Sequence, residues 1–259
     1  MLRFERHAKI LQLVRERDFV ENDELSEIFG VTTATIRRDA KILKEQGLVS
    51  VDHGGISVID YLKAYVEPAH ETKIYLNIEK KKAIADTACK LINEGETVIL
   101  DSGTTNLQIA KRLKNRQFKH ITIVTADLKI ANELCVEDNV KLIMLGGTVR
   151  KLNYSTYGPF AEQTLKQIKA DKFFLGIDSI CLGYGITNII QEEVPLKQLS
   201  ISLSDEVIAV ADSSKFETHV TYKICTIDEI DYLITDSDLD MKIISEIEKK
   251  GVKLISVNS

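Results

Sequence analysis

The residues best suited to chemistry in this sequence form a short polar loop, Asp101-Ser102-Gly103-Thr104-Thr105. The apolar run 98–100 before it is typical of a buried strand, and the apolar spacing over 107–113 after it predicts a helix. The first N–H groups of a helix lack partners within that helix. Together with the loop hydroxyls they could hold an anion such as phosphate. An ordinary turn whose hydroxyls only cap the helix explains the same pattern.

Alternating elements around this loop predict an α/β fold with a mostly parallel sheet. Strands are predicted near residues 97–100, 121–124, 140–145, 172–177, 206–211 and 231–234. Helices are predicted between most of them, including 105–113, 128–135, 160–169 and 193–203. Ligands of such sheets bind beyond the carboxyl ends of the strands, so the residues that follow each strand are the candidate site.

Polar residues or glycines follow strand after strand at this predicted edge. Besides the first loop, they are Thr125-Ala126-Asp127, Gly146-Gly147, Asp178-Ser179 and Asp212-Ser213-Ser214-Lys215. We expect Lys215 to add positive charge for a phosphate, and Asp101, Asp178 and Asp212 to accept hydrogen bonds from sugar hydroxyls. Glu193 and Lys197 lie one helical turn apart, so they either join this site or form a plain helix salt pair.

The first sixty residues show a different pattern, that of three short helices. Apolar spacing predicts an amphipathic helix over 3–17, a second from Asn22 as its cap to Gly30, and a third from Thr32 to Gly47. Two helices joined by a tight glycine-bearing turn, with the second longer and more basic, are the helix-turn-helix arrangement.

The outer face of the third predicted helix is positively charged. Residues 32–47 hold four basic and two acidic side chains, although the first 58 residues hold nine and ten. An arginine in a major groove can bond two acceptors of guanine, and lysines can neutralise phosphates. The DNA contacts predicted on this face are Thr33, Thr35, Arg37, Arg38 and Lys41. The alternative is a solvated face whose arginines pair with Asp39 and Glu45.

Residues 48–58 predict a hairpin that turns at Gly54-Gly55, which would be the wing of a winged helix-turn-helix. His53 at its tip is either a contact to backbone phosphate or a solvated turn histidine. Pro68 lies in a stretch without sustained period and disfavours helix at the residue before it. We therefore expect a DNA-binding domain over 1–58, a linker over 59–78 and an α/β sensor domain over 79–259.

Composition bounds the partners. The chain has 34 basic and 39 acidic residues and a formal charge of -5, which gives no global argument for nucleic acid or a membrane surface. Cys89, Cys135, Cys181 and Cys225 are far apart, so neither zinc spacing nor a disulfide framework is suggested. No stretch approaches the roughly 20 apolar residues of a membrane span, and the start lacks an export signal. We expect a cytoplasmic protein with no cofactor and no metal.

Several of these motifs resemble one family. The run Val31-Thr32-Thr33-Ala34-Thr35-Ile36-Arg37-Arg38-Asp39, then Gly47-Leu48 and His53-Gly54-Gly55, is similar to the signature of DeoR-type transcriptional regulators. The loop 101–105, the Gly146-Gly147 pair, Glu193 with Lys197, and the run 212–216 resemble that family's sensor domain in order and spacing. The resemblance implies a sensor for a phosphorylated sugar on a fold similar to ribose-5-phosphate isomerase. It also implies that Lys80 can reach the ligand.

The sequence departs from the family pattern at Ala40, where leucine is usual, at Lys73, near an arginine position, at Thr125-Ala126-Asp127, and at Gln198. The last two departures leave the identity of the effector open, whereas the change at Ala40 affects core volume more than DNA contact.

The leading hypothesis is a DNA-binding regulator, most often a repressor in this family, whose operator affinity changes when a sugar phosphate binds. A palindromic double-stranded operator would require a homodimer or homotetramer. The rival is a sugar-phosphate isomerase with an accessory helical domain, in which Asp101 or Asp178 is the base and Lys215 gives electrostatic support. That enzyme would leave the helix-turn-helix without a role.

Overall fold

The computed structural model describes residues 1–52, 54–59, 67–116, 118–218 and 220–258. The chain forms two compact units, Met1–Ile78 and Glu79–Ser259. Each unit has an apolar core of its own. We call them the N-terminal unit and the α/β unit.

The N-terminal unit contains the three predicted helices and the predicted hairpin. Its helices are α1 (Arg3–Arg17), α2 (Asn22–Phe29), α3 (Thr33–Glu45) and the single turn α4 (His70–Lys73). Its strands are β1 (Phe19–Glu21), β2 (Val49–Asp52) and β3 (Gly55–Val58). Gly30 ends α2 in the left-handed conformation, and the Thr32 side chain caps α3 by accepting a hydrogen bond from the Thr35 N–H. The turn between α2 and α3 therefore follows the predicted arrangement.

Strand β1 was not predicted, and it corrects two details. It pairs antiparallel with β3, so the wing is a three-stranded sheet in the order β1-β3-β2. A Cβ at Gly55 would lie 2.4 Å from the Phe19 ring and 2.6 Å from the Val20 carbonyl oxygen, so glycine lets β1 approach. Because β1 runs directly into α2, the residue before the helix is Glu21. Asn22 is the first helical residue and is not its cap.

The α/β unit contains six further helices and twelve strands among the residues that the structure describes. The helices are α5 (Ile78–Lys90), α6 (Thr104–Leu113), α7 (Leu128–Leu134), α8 (Pro159–Leu165), α9 (Val194–Leu203) and α10 (Met241–Lys249). The strands of its large sheet are β4 (Thr97–Leu100), β5 (Ile121–Thr125), β6 (Val140–Met144), β9 (Ala170–Gly176), β12 (Ser204–Val210), β14 (Tyr232–Asp236) and β15 (Lys253–Val257). The shorter strands are β7 (Thr148–Arg150), β8 (Ser155–Tyr157), β10 (Ser179–Cys181), β11 (Gly185–Asn188) and β13 (Tyr222–Cys225).

The large sheet is fully parallel, with the strand order β15-β14-β12-β9-β4-β5-β6. From β4 the chain proceeds through β5 to β6 in one direction, and from β9 it proceeds through β12 to β15 in the other. The boundary between β4 and β9 is therefore a topological switch point, where a crevice opens beyond the strand ends. Every residue of β5 is buried, as expected for a strand covered on both faces. The predicted α/β fold with a mostly parallel sheet is confirmed.

Two small β elements flank this sheet and were not predicted. Strands β7 and β8 form an antiparallel hairpin, and β10, β11 and β13 form an antiparallel sheet. The hairpin adjoins the start of α7, because the Thr156 N–H donates to the Ala126 carbonyl and the Leu128 N–H donates to the Tyr154 carbonyl, both at 2.8 Å. It is thereby held over the carboxyl end of β5.

Within the described part of the chain, none of the helices has the length and apolar character that a membrane crossing requires.

Candidate functional sites

The carboxyl ends of β4 and β9 are joined by one carboxylate. Asp101, the residue after β4, accepts a hydrogen bond at 2.9 Å from the N–H of Gly176, the last residue of β9. The Lys197 ammonium of α9 contacts the same carboxylate and donates to the Gly176 carbonyl at 3.2 Å. A Cβ at Gly176 would lie 2.9 Å from the Ser102 carbonyl oxygen, so glycine is needed for this approach. Three separate elements thus meet at the switch point.

Burial governs the electrostatics of this contact. Burial raises the pKa of Asp101, and the neighbouring Lys197 ammonium opposes that change. Burial by itself lowers the pKa of Lys197, but the carboxylates of Asp101 and Glu193 outweigh it and raise that pKa. The ammonium, which is 4% exposed, is therefore held in its charged form beside the carboxyl group.

The loop after Asp101 is fixed by a second carboxylate. Gly103 has a φ of 141°, a conformation that side chains disfavour, and its N–H donates to Asp127 Oδ2 at 3.1 Å. The other oxygen of Asp127 caps α7 by accepting from Lys129 N at 2.7 Å and Ile130 N at 3.1 Å. Burial raises the pKa of Asp127 to about 6. The Gly103 N–H, which was expected to face an anion, is therefore already bound to a protein carboxylate.

The hydroxyl groups near this loop differ in exposure. Ser102 and Thr105 are partly exposed at the start of α6, whereas Thr104 is buried. Thr125 is fully buried, and its Oγ1 accepts a hydrogen bond from Asp127 N at 3.1 Å. Thr125 therefore supports Asp127, while the two partly exposed hydroxyls remain open to solvent.

The β7–β8 hairpin brings an arginine that sequence reasoning missed. Arg150 Nη1 lies 3.0 Å from Glu193 Oε1, and Ser155 Oγ donates to the same oxygen at 2.8 Å. The exposed Gly146-Gly147 pair leads into this hairpin, and a Cβ at Gly147 would lie 2.4 Å from the Tyr157 carbonyl oxygen. In the sequence, the one indication of this contact was that Arg150 lies shortly after the glycine pair.

Glu193 and Lys197 consequently tie α9 to different elements, which goes beyond a plain helix salt pair. Asp178 Oδ2 accepts a hydrogen bond from Ile189 N at 3.1 Å, which fixes this carboxylate to the end of β11. We call the following residues the switch-point cluster: Asp101, Gly103, Asp127, Arg150, Ser155, Gly176, Glu193 and Lys197.

A second group, the Lys80 cluster, lies at the ends of β12 and β14. The Lys80 ammonium lies 2.9 Å from Asp236 Oδ1, 2.7 Å from Asp238 Oδ2 and 2.9 Å from Ser213 Oγ. Burial lowers the pKa of Lys80, but its hydrogen bonds to Asp238 and Asp236 outweigh burial and raise that pKa. Sequence reasoning found Lys80 through the family resemblance but missed both aspartates.

The run that follows β12 has a more local role than expected. Asp212 is buried, and its Oδ1 accepts hydrogen bonds from the N–H, at 3.1 Å, and the hydroxyl of Ser214. That oxygen therefore caps the 3-10 turn Ser213–Lys215. Lys215 is partly exposed and forms no ion pair with the residues that the structure describes.

The outer face of α3 carries the predicted DNA contacts. Arg37 and Arg38 are exposed, and neither forms an ion pair within the described ranges. Lys41 is exposed and lies 3.8 Å from Glu45. Thr33 donates to Asp23 at 3.2 Å, and Thr35 shares a 3.0 Å contact with the Thr32 hydroxyl. His53 lies outside the described residues.

One part of the solvated-face alternative is wrong. Asp39 is not on the outer face of α3, because it is 2% exposed and contacts Arg6 and His7 of α1. It is therefore unavailable to Arg37 and Arg38. The three basic side chains among the predicted contacts, Arg37, Arg38 and Lys41, keep the outer face positively charged.

Among the described residues of either unit, no three His, Cys, Asp or Glu side chains lie close enough together to hold a metal ion. The four cysteines are free thiols, and burial raises the pKa of Cys89 and of Cys225 to about 12.

A winged helix-turn-helix unit followed by a parallel α/β unit with a polar switch point defines the class of two-part DNA-binding regulators. Comparison with known proteins agrees. Residues 6–61 match the DeoR-like helix-turn-helix domain, and residues 76–237 match the DeoR C terminal sensor domain. The chain belongs to the DeoR family and is a DNA-binding transcriptional regulator. This family membership favours the regulator over the isomerase alternative.

Similar proteins span nearly the whole chain. The putative aga operon transcriptional repressor of Escherichia coli O157:H7 is 36% identical over 98% of this chain and 93% of its own length. The HTH-type transcriptional regulator GlpR of Haloferax volcanii is 34% identical over 98% of both chains. Among solved structures, the ribose 5-phosphate isomerase A of Methanocaldococcus jannaschii has a TM-score of 0.41 and 16% identity, covering 54% of this chain and 55% of that one. That likeness is distant, and the strand order given above defines the fold by itself.

Proposed function

We propose that this protein is a transcriptional repressor of carbohydrate-metabolism genes whose operator affinity is changed by a phosphorylated sugar. The sugar phosphate binds at the carboxyl ends of the parallel strands. The DNA is a palindromic double-stranded operator, which a homodimer or homotetramer reads with two copies of α3. As a regulator of genes, the protein acts in the cytoplasm.

The observation that carries the effector assignment is the switch-point cluster. A sugar phosphate needs hydrogen-bond acceptors for its hydroxyls and donors or cations for its phosphate. Asp101, Asp178 and Glu193 supply acceptors at the ends of β4 and β9 and at the start of α9. The start of α6 supplies N–H groups that its helix leaves without partners, and Ser102 and Thr105 supply hydroxyls.

Positive charge for the phosphate comes from two lysines. Lys215 follows β12 and has no ion pair with any described residue, so its charge is available to an anion. Lys80 contacts Ser213, which lies two positions before Lys215 in the sequence, and a phosphate bound there competes with Asp236 and Asp238 for the Lys80 ammonium. The remaining predicted contacts have supporting roles: Gly103, Gly146 and Gly147 shape the backbone, Thr104 and Thr125 are buried, and Asp212 caps its own turn.

The relatives support repression, and the match to the DeoR C terminal sensor domain fits a sugar-phosphate effector. The Escherichia coli O157:H7 relative is named a putative repressor of the aga operon. For a ligand to change operator affinity, it must bind one conformation of the protein better than another. The internal hydrogen bonds of the switch-point cluster define one such conformation, and we propose a second in which the same groups bind the ligand instead.

A thermal-shift screen with pentose and hexose phosphates tests the effector assignment. A ligand present at 100 times its dissociation constant stabilises the native state by about 2.7 kcal/mol, so a binder raises the melting temperature. The corresponding unphosphorylated sugars are the control and should give no shift. A panel in which no phosphorylated sugar shifts the transition contradicts the assignment.

The variants Thr105→Val and Lys215→Met then connect binding to regulation. In gel shifts with DNA that the wild-type protein selects from a random-sequence pool, both should bind DNA normally but respond less to the effector. Lys249→Met, which removes an exposed lysine of α10, is the matched control and should respond as the wild type does. An unaltered response in Lys215→Met would count against its role.

Sedimentation velocity of the complex with the selected DNA tests the assembly. We expect two copies of the protein for each palindromic duplex, or four for two duplexes. A complex with one copy would exclude the homodimer and the homotetramer.

A further inference from the structure

The recognition helix α3 has a carboxylate on its apolar side. Ile36, Ala40 and Leu43 are fully buried, and their spacing defines the stripe that packs into the core of the N-terminal unit. Asp39 lies on the same stripe and is 2% exposed. An apolar residue is the ordinary choice for such a position, so the carboxylate needs an explanation of its own.

Both oxygens of this carboxylate are bound by α1. Arg6 Nε donates to Asp39 Oδ2 at 2.6 Å, and His7 Nε2 lies 3.0 Å from Asp39 Oδ1. An ionised carboxylate only accepts hydrogen bonds, so the His7 Nε2 carries the hydrogen. Arg6 and His7 are buried as well. We call Arg6, His7 and Asp39 the Asp39 cluster.

Stability alone does not account for such a cluster. Buried ionic groups lose much of their mutual attraction to the cost of leaving water, and apolar replacements of similar volume are often as stable or more so. The cluster does provide direction, because two adjacent residues of one helix hold two oxygens of one side chain. A two-point attachment restricts the rotation of α3 about its own axis, which apolar contacts do only weakly.

That rotation decides where the arginines point. At 3.6 residues per turn, Arg37 lies about 200° around α3 from Asp39, and Arg38 lies about 100° from it. Thr33 lies four residues before Arg37 and Lys41 lies four residues after it, so both share its side of the helix. A rotation of about 10° moves a group at the outer radius of a helix by about 1 Å. Such a shift is enough to spoil two parallel hydrogen bonds from one arginine to a base.

We infer that Asp39 is a positioning residue for DNA recognition. Its attachment to Arg6 and His7 sets the angle at which α3 presents Arg37 to the major groove. The cluster thereby controls discrimination between DNA sequences and leaves the general attraction to the DNA backbone unchanged. This inference rests on the proposed DNA-binding face of α3.

An apolar replacement of the whole cluster tests this inference without leaving an unpaired buried charge. The triple variant Arg6→Met, His7→Leu, Asp39→Leu is compared with the wild type on two duplexes. One is selected by the wild-type protein from a random-sequence pool, and the other is a scrambled duplex of the same composition. We expect the triple variant to be folded by circular dichroism, to lose at least 10-fold in affinity for the selected duplex, and to bind the scrambled duplex unchanged. A ratio of the two affinities equal to that of the wild type would overturn the inference.

The control changes the same charges elsewhere in the N-terminal unit. Arg17→Met with Glu24→Leu removes one positive and one negative side chain from an exposed ion pair and should leave both affinities unchanged. If the triple variant does not fold, Arg6→Lys decides the matter, since it keeps the charge but lacks the Nε donor. We expect it to lower the ratio of affinities several-fold, and an unchanged ratio would be contrary evidence.

Arg37→Ala separates this inference from the proposed function. If Arg37→Ala binds the selected duplex as the wild type does, the proposed DNA-binding face of α3 is wrong. If Arg37→Ala weakens binding but the triple variant does not, only the positioning role of Asp39 is wrong.

Discussion

Charged side chains are arranged in opposite ways on the outer face of α3 and in the switch-point cluster. On α3, Arg37 and Arg38 are exposed and make no ion pair in the part of the chain that the structure describes. In the switch-point cluster, Asp101, Lys197 and Glu193 are largely buried and are bound to groups from other elements. The outward charges are hydrated, and the inward charges are already satisfied by protein partners.

This difference implies that the proposed binding of DNA and the proposed binding of effector depend on different interactions. DNA can displace counterions and water from the α3 arginines without any change in the protein. In the proposed function, a ligand at the switch point competes with hydrogen bonds that the protein makes with itself, so we expect its binding to be coupled to a rearrangement of α9 or the β7–β8 hairpin. A rigid reading surface and an exchangeable internal network are what a switch requires.

The largest effect expected is from removal of one buried partner. Lys197→Met leaves the Asp101 carboxylate buried without its cation, which should cost about 3–5 kcal/mol in the free energy of unfolding. Denaturant titration of the α/β unit measures this loss. Lys169→Met, which breaks the exposed pair with Asp205, should cost less than about 1 kcal/mol. If both substitutions cost the same, the contrast between buried and exposed charges would not hold.

The pH dependence of Asp127 is expected to be nearly as large. The pKa of this carboxyl group is about 6 in the folded protein and about 3.9 in the unfolded chain, so between these values the folded state binds more protons. Stability from this group is therefore present below about pH 4 and is lost as the pH rises through about 6, by about 3 kcal/mol in all.

The comparison with Asp127→Asn isolates this group from the other carboxylates. The difference in unfolding free energy between wild type and variant should change across that pH range, because the asparagine does not titrate. Asp205→Asn, which removes a carboxylate at an exposed position, is the control for the loss of one negative charge. If the unfolding free energies of the wild type and Asp127→Asn vary in parallel with pH, the pKa of Asp127 is not raised by folding.

Substitutions of Arg37 and of Lys41 should have different effects on DNA binding. Arg37→Ala should cost about 1–3 kcal/mol with the selected duplex and relax its specificity, since an arginine in the groove reads base edges. Lys41→Ala should weaken binding to the selected and scrambled duplexes alike. It should also lower the slope of log affinity against log salt concentration by about one. Binding isotherms at several salt concentrations distinguish the two. Equal losses on both duplexes for Arg37→Ala would assign it to phosphate contact instead.

The smallest effect concerns the cap of α3. Thr32→Ala removes the side-chain acceptor of the Thr35 N–H and should cost about 1 kcal/mol in unfolding of the N-terminal unit. Thr32→Ser keeps the hydroxyl and serves as the control. Neither change alters the outer face of α3. The DNA affinity of the folded protein should therefore change by less than about two-fold, which is about the precision of a binding titration. A large loss of affinity in Thr32→Ala alone would mean that the cap itself contacts DNA.

Much of the fold could be predicted from local pattern. The strand predicted at 97–100 coincides with β4, and the helix predicted at 3–17 coincides with α1. The β7–β8 hairpin and the sheet of β10, β11 and β13 were missed, because strands of three or four residues carry too little periodic signal. The residues that follow β4 and β9 were placed at one edge correctly, since parallel strands share the direction of their ends.

The sequence alone determined which way most side chains face. The spacing of Ile36, Ala40 and Leu43 directs Arg37 and Arg38 outward, whereas the inward position of Asp39 was not predicted. Only the tertiary structure decided the partners. Asp39 meets Arg6 across 33 positions, and Asp101 meets Lys197 across 96. Periodicity fixes the direction of a side chain relative to its own helix or strand. The packing of distant elements fixes what that side chain contacts.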